Sequence, residues 1–284
     1  MKFSIITVTY NAEQTLERTL RSVAFQTYPH VEHILIDGAS KDRTMEIAKI
    51  HGKHLTKIVS EPDNGLYDAM NKGLRIATGD YVCFLNAGDK LHAPDTLEKI
   101  AETIESADTA ERGKRNVNTA DYLKDETNTT EVSKTEKQET RSAIQASEQH
   151  SLPGVLYGHT DIVDNEGKFL HTRRLKPHDG LSWKSFKQGM LVCHQAFYAR
   201  RDLCPEYDTS FRFSADFDWC IRVMKQSNNL LHLPFPVADY LEEGMTTRNH
   251  RASLIERFRL MCRHYGAAST IVRHLWFAVR NVIK

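Results

Sequence analysis

Residues 81–89 read YVCFLNAGD: five apolar residues, Tyr81 to Leu85, run directly into a small polar turn, Asn86 to Gly88, that ends on one carboxylate, Asp89. A short, continuously apolar run between turn signals is the pattern of a strand buried on both faces of a parallel sheet. Working towards the N-terminus, the same pattern repeats. Leu66, Ala69, Met70, Gly73, Leu74 and Ala77 share one helical face, with Gly79 as the stop. Before them come a short strand (LTKIVS, 55–60), a helix (40–52), a strand (VEHILID, 31–37), a helix carrying Leu16, Leu20 and Val23, and a first strand, FSIITVTY (3–10). Asn11, with Gln14 three residues on, is placed to cap that first helix. The alternation predicts an α/β fold: a Rossmann-like, mostly parallel sheet with helices on both faces.

Residues 106–150 break the pattern. They are rich in Thr, Glu, Lys, Ser and Asn and poor in large apolar side chains, so they bury too little surface to offset the entropy of ordering and read as a disordered insertion. Structure resumes with a hairpin turning at Asn165, Glu166 and Gly167, then an apolar strand, GMLVCHQAFYAR (189–200), then a helix opened by Ser214. The chain thus divides into residues 1–105, the insertion 106–150, a second half 151–250, and an extension 251–284.

Composition narrows the function classes. Thirty-eight Lys and Arg against 37 Asp and Glu leave a formal charge of +1, without the basic excess of a nucleic-acid binder. Five scattered cysteines, with no C-x-x-C pair, form neither a disulfide framework nor a zinc knuckle, and suit a reducing cytosol. FSIITVTY lacks the cleavage site of a signal peptide, and no apolar run approaches the ~20 residues of a membrane span. A cytoplasmic protein, soluble or peripheral to a membrane, is expected.

In an open α/β sheet, ligands bind outside the carboxyl ends of the strands. Those ends carry Thr7, Thr9 and Asn11; then Asp37, Gly38 and Ser40; then Asn86, Gly88 and Asp89. Each alone reads as a cap or a turn; three on one edge read as a ligand crevice. Asp89 follows two small residues that leave room beside its carboxylate. One such group suffices for Mg²⁺ if the ligand brings phosphate oxygens. The glycine-rich fingerprints of dinucleotide and P-loop sites are absent.

Residues 3–91 closely resemble the first half of a family 2 glycosyltransferase with the GT-A fold, and YGHTDIVDNEGK, CHQAFYARRDL and FSADFDWCIRV continue the resemblance more loosely, towards bacterial enzymes that build surface polysaccharides. The resemblance implies a donor pocket for a nucleotide-diphospho-sugar, UDP-linked in preference to GDP-linked, formed by Thr7, Thr9, Asn11, Asp37, Ser40, Asn71 and Asn86. It implies that Asp89 holds Mg²⁺ or Mn²⁺ and that Asp216 is the catalytic base of an inverting displacement. Asp218 is the rival acid, two residues on in the same helix start, and His194 and Gln195 are candidates for lining the acceptor site. Gly38 and Gly88 stand where the family usually has further acids, which keeps open a catalytically silent binder of the same fold. The implied acceptor is a glycan or a lipid-linked glycan.

The extension carries seven Lys and Arg against one acid, Glu256, a net +6. Leu254, Phe258, Met261 and Tyr265 line one helical face, and Ile271, Leu275, Val279 and Val282 another. A basic amphipathic helix suits an anionic membrane surface, or packing on the catalytic domain.

Overall fold

The computed structural model describes residues 1–122, 152–242 and 250–282. The chain opens with β1 (Phe3–Thr9), α1 (Leu16–Ala24), β2 (Val31–Asp37), α2 (Thr44–His51), β3 (Lys57–Ser60), α3 (Leu66–Ile76) and β4 (Tyr81–Phe84), the alternation expected from sequence. It continues through β5 (Lys90–Leu91), α4 (Thr96–Tyr122), β6 (Val155–Val163), β7 (Phe169–Thr172), β8 (Phe197–Arg200), α5 (Ala215–Gln226), β9 (Leu230–Leu241), α6 (His250–Tyr265) and α7 (Ala267–Val282).

The strands form one sheet in the order β3-β2-β1-β4-β8-β6-β9-β5, with β7 paired to β6 beside β8. The first four pair in parallel. β8 then runs antiparallel to both β4 and β6, and β9 runs parallel to β6. Side chains alternate across β2: Leu35 joins Leu16 and Leu20 of α1 and Ala48 of α2, while Ile34 and Ile36 join the cluster holding Met70 and Leu74 of α3. Both faces are therefore covered, and β1 and β4 are buried along their whole length.

The antiparallel insertion of β8 has a consequence for chemistry. Because β8 points the other way, the residues just before it lie at the carboxyl end of β4. Tyr81 pairs with Arg200 and Val82 with Ala199; carried along the ladder, this register sets Asn86 opposite Gln195. The ends of β6 and β9 face the same edge.

Four expectations change. Helix α4 runs to Tyr122, so the first residues of the segment expected to be disordered are helical; 123–151 lie outside the described residues. Asn11 does not cap α1, which begins at Leu16; it sits in a left-handed turn at φ 48°. The strand expected over 189–200 is extended only from Phe197, because His194 to Ala196 form a 3-10 turn. Helix α6 turns Leu260 and Met261 inward and leaves Leu254 and Ile255 exposed, since Glu256 and His264 anchor it to the domain through polar contacts. The side chains of Leu275, Val279 and Val282 lie outside the described residues.

Candidate functional site

The turn after β4 is tight: Gly88 adopts φ +108°, and a Cβ there would meet the Leu241 side chain at 3.1 Å. An acid at this position would be strained and crowded, which accounts for the glycine. Thr19 of α1 pins the turn, accepting the Gly88 N–H (2.9 Å) and donating to the Asp89 carbonyl (2.6 Å). The Asp89 carboxylate is thereby aimed inward, where the Gln195 amide donates to one oxygen (2.6 Å) and the Leu241 N–H to the other (3.1 Å). Asp89 is 4% exposed. Burial pushes its carboxyl up to about 6, against the pull of the Gln195 and Leu241 hydrogen bonds and the charges of His194 and Arg18.

Across the edge, Asp216 occupies the first turn of α5. Its neighbours Ala215 and Phe217 are buried, whereas the Asp216 side chain keeps 16% of its surface. One oxygen accepts the Phe217 N–H (2.8 Å) and the Tyr67 hydroxyl (3.2 Å); the other faces His194 Nδ1 (3.3 Å). The Asn86 amide lies 3.1 Å from His194 Nε2. His194 thus bridges the Asn86 amide and the Asp216 carboxylate, and a proton on Nδ1 would be donated to Asp216. Burial raises the Asp216 carboxyl, but hydrogen bonding and charge from His194, the charge of Arg257 and the Phe217 N–H outweigh it, so it sits below the ordinary carboxylate range and is anionic at neutral pH.

The rival acid is committed elsewhere. Asp218 is fully buried, held by Arg222 (2.6 Å) and His264 (2.7 Å), an ion cluster that ties α5 to α6. It is a packing group and does not line the acceptor side. Gln195, also expected there, is 1% exposed and serves to orient Asp89.

At the ends of β1 and β2, Asp37 is fully buried and accepts from the Ser40 backbone, the Ser40 hydroxyl and Ser60. Asn11 bonds the same turn, its N–H donating to Ser40 Oγ and its Oδ1 accepting the Lys41 N–H. Thr9 ends β1 with its hydroxyl buried and without a hydrogen-bond partner among the described residues. Thr7, by contrast, is spent below the edge on His33 Nε2 (2.9 Å), and Asn71 on both backbone groups of Tyr207. Neither is free to hold a ligand. Sequence reasoning missed Tyr67 and Arg257, whose helical surroundings gave no signal, and Asp63. A Cβ on Gly38 would meet the Asp63 carboxylate, so Asp63 fills the space that a second acid in the turn would take.

A divalent ion fits the donor chemistry at this edge. Each Asp89 oxygen accepts only one hydrogen bond, and Asn86 Oδ1 is buried with no partner among the described residues. These are hard oxygen donors of the kind Mg²⁺ and Mn²⁺ take. A second group, His92, Asp161 and Asp239, also brings ligand atoms within 4.8 Å of one another. There, however, Asp239 is already paired with Lys90 (2.8 Å) and bonded to His92 (2.7 Å).

Fold and edge together define an α/β protein whose polar groups gather outside the strand ends. The chain belongs to Glycosyl transferase family 2, whose sequence profile matches residues 4–159. It is 43% identical over 251 residues to the PGL/p-HBAD biosynthesis glycosyltransferase of Mycobacterium bovis, covering 85% of this chain and 77% of that protein. It is 24% identical over 250 residues to the amylovoran biosynthesis glycosyltransferase AmsB of Erwinia amylovora, covering 84% of this chain and 69% of that one. Among solved structures, S. aureus TarS in complex with UDP-GlcNAc superposes with a TM-score of 0.62 at 16% identity, over 98% of this chain and 73% of TarS. A TarS complex with UDP gives 0.60 at 17% identity, over 95% and 68%. The GT-A architecture expected from sequence is thus the one observed, and the chain is a glycosyltransferase.

Proposed function

We propose that this glycosyltransferase is an inverting, divalent-metal-dependent enzyme that moves a sugar from a UDP-sugar to a glycan or lipid-linked glycan acceptor in surface polysaccharide or glycolipid synthesis. The observation that carries this reading is Asp216, a carboxylate kept anionic by His194, Tyr67 and the Phe217 N–H while one oxygen keeps room for a further proton. In the step, the acceptor hydroxyl oxygen bonds to the anomeric carbon, its proton passes to Asp216, and the bond to the diphosphate breaks with its electron pair on the leaving oxygen. Asp89 and Asn86 would hold the metal, which when bound neutralises charge on the departing diphosphate. Thr9, Asn11, Asp37, Ser40 and Asp63 would form the base and ribose side. The UDP preference draws support from the UDP and UDP-GlcNAc in the TarS complexes; the pathway, from the biosynthetic names of the mycobacterial and Erwinia relatives.

A thermal-shift panel of UDP-, GDP- and dTDP-sugars, with and without Mn²⁺, tests the donor class. At a hundredfold excess over Kd, a ligand adds about 2.7 kcal/mol to the native state. We expect a UDP-sugar to raise the melting temperature by several degrees, and by more with Mn²⁺. A flat panel would remove the nucleotide-sugar reading.

The lipid-linked acceptor motivates a membrane contact. No helix among the described residues is long and apolar enough to cross a bilayer. Leu254 and Ile255 of α6 and Ile271 and Val272 of α7 are nonetheless exposed, and α6 also exposes Arg251 and Arg259, basic and apolar groups suited to anionic lipid. The protein should float with vesicles containing phosphatidylglycerol and not with neutral ones; equal behaviour on both would set the membrane contact aside.

A further inference from the structure

Among the arginines of the extension, Arg257 stands apart. Arg251 and Arg259 point to solvent, and Arg263 pairs with Asp208. Arg257 instead turns into the domain, with its guanidinium carbon 5.5 Å from the centre of the Phe217 ring, the residue after the proposed base. It lies near enough to Asp216 for its charge to help hold that carboxyl anionic. Among the described residues its Nε is buried with no hydrogen-bond partner, and no carboxylate pairs with it.

The setting is rigid. Glu256, one residue earlier, accepts the backbone N–H groups of Arg212 (2.9 Å) and Phe213 (2.7 Å). Ser214 Oγ bonds the Ser253 carbonyl (3.3 Å), and Tyr265 bonds the Trp183 carbonyl (2.6 Å). The helix is thus fastened on both sides of Arg257, and the guanidinium lies over an aromatic ring. A buried N–H donor is ordinarily satisfied. A planar guanidinium over an aromatic ring, with its Nε buried and unpartnered among the described residues, is suited to binding phosphate-type oxyanions through paired N–H groups.

We propose that Arg257 is an anion-binding residue of the reaction cleft, receiving a phosphoryl oxyanion of one of the two substrates beside Asp216. This rests on the glycosyltransferase reading above and adds to it a recognition element from the C-terminal extension. The oxyanion has two sources, the donor's diphosphate or a phosphate on the acceptor. The guanidinium serves either without taking a proton, since it stays charged throughout.

The test uses the full chain as wild type, Arg257→Met, which keeps the stem over Phe217, and Arg257→Lys, which keeps the charge but not the fork. Calorimetric titration with UDP and with uridine, in Mg²⁺, reads the donor arm. Thermal shift with inorganic phosphate added to the UDP-bound protein reads the acceptor arm. If the donor's diphosphate is the ligand, Arg257→Met weakens UDP at least tenfold, leaves uridine unchanged, and Arg257→Lys falls between. If the acceptor's phosphate is the ligand, UDP binding is unchanged and the stabilisation by phosphate is lost in Arg257→Met. UDP affinity and phosphate response both equal to wild type in a variant with an unaltered ligand-free melting temperature would overturn the proposal. Failure of the wild type to bind UDP or any sugar nucleotide would instead count against the donor reading, with phosphate stabilisation of the ligand-free protein still testing Arg257.

Discussion

Asp216→Asn lowers the transfer rate by ~10²–10⁴-fold, the range a positioned general base contributes, with nucleotide affinity kept. The substitution is conservative in shape. An asparagine carbonyl can still accept the Phe217 N–H and the Tyr67 hydroxyl that now meet Asp216 Oδ1. What it cannot do is take a proton from the acceptor. The loss therefore belongs in kcat, and the UDP-sugar dissociation constant should change less than about twofold. Asp218→Asn is the control, because it alters the same helix turn without touching the cleft. Breaking a buried pair costs ~3–5 kcal/mol, and the partial exposure of Arg222 puts Asp218 at the lower end. Burial raises the Asp218 carboxyl, but His264 and Arg222 hold it below the ordinary range. Its contribution is thus present above the unfolded-state value and lost as the pH falls through the folded one. The Asp218→Asn protein should melt earlier at neutral pH, lose less of its stability on acidification, and transfer sugar normally below its melting temperature. Near-wild-type kcat in Asp216→Asn, or loss of kcat in a folded Asp218→Asn, would reassign the base.

The first half of the molecule is readable from its sequence because every signal there is local. Leu16, Leu20 and Val23 fall on one face of α1 whatever lies opposite, and the apolar runs of β1, β2 and β4 need no partner to be recognised as strands. The ligand edge follows from topology, since strand ends in a parallel sheet must collect their polar residues on one side. The second half resists because its side chains are placed by long-range pairing. Gln195 reads as a strand-end polar residue, yet the antiparallel entry of β8 sets it against Asp89, which lies 106 positions earlier. Asn71, which the resemblance implies in the donor pocket, is used by Tyr207, 136 positions later. The distinction between Asp216 and Asp218 depends on His264, and Arg257 depends on where α6 docks; neither has any local signature. The apolar stripe of α6 is split for the same reason, as the polar anchors Glu256 and His264 fix the helix's rotation so that Met261 packs inward and Leu254 stays exposed.

Asp89→Asn abolishes metal-dependent transfer while making the metal-free protein more stable at mildly alkaline pH. The two effects have one cause. At 4% exposure the carboxylate is buried with only the Gln195 amide and the Leu241 N–H to support it. Its rise from the ordinary 3.8 to about 6 measures what burying the anion costs, about 3 kcal/mol at 1.36 kcal/mol per unit. The sign follows from linkage. A carboxyl whose folded value is raised holds its proton more tightly in the native state, so the penalty is absent below about pH 4, grows between about 4 and 6, and is complete above about 6. Asparagine carries no charge to bury and can keep one of the two hydrogen bonds, so it recovers part of that penalty. In a chain of 284 residues each kcal/mol is worth ~2–4 °C, and the EDTA-treated variant should melt several degrees above wild type at about pH 8 and level with it at about pH 4. Mn²⁺ should then reverse the order, raising the wild-type melting point by pairing with the buried carboxylate and leaving the variant where it was. An Asp89→Asn protein that melts below wild type in EDTA at the alkaline pH would make Asp89 a structural acceptor. A variant that still responds to Mn²⁺ would move the metal elsewhere, with His92, Asp161 and Asp239 the next place to look. The expected combination, stability gained where activity is lost, is that of a carboxylate held in an environment unfavourable to its charge.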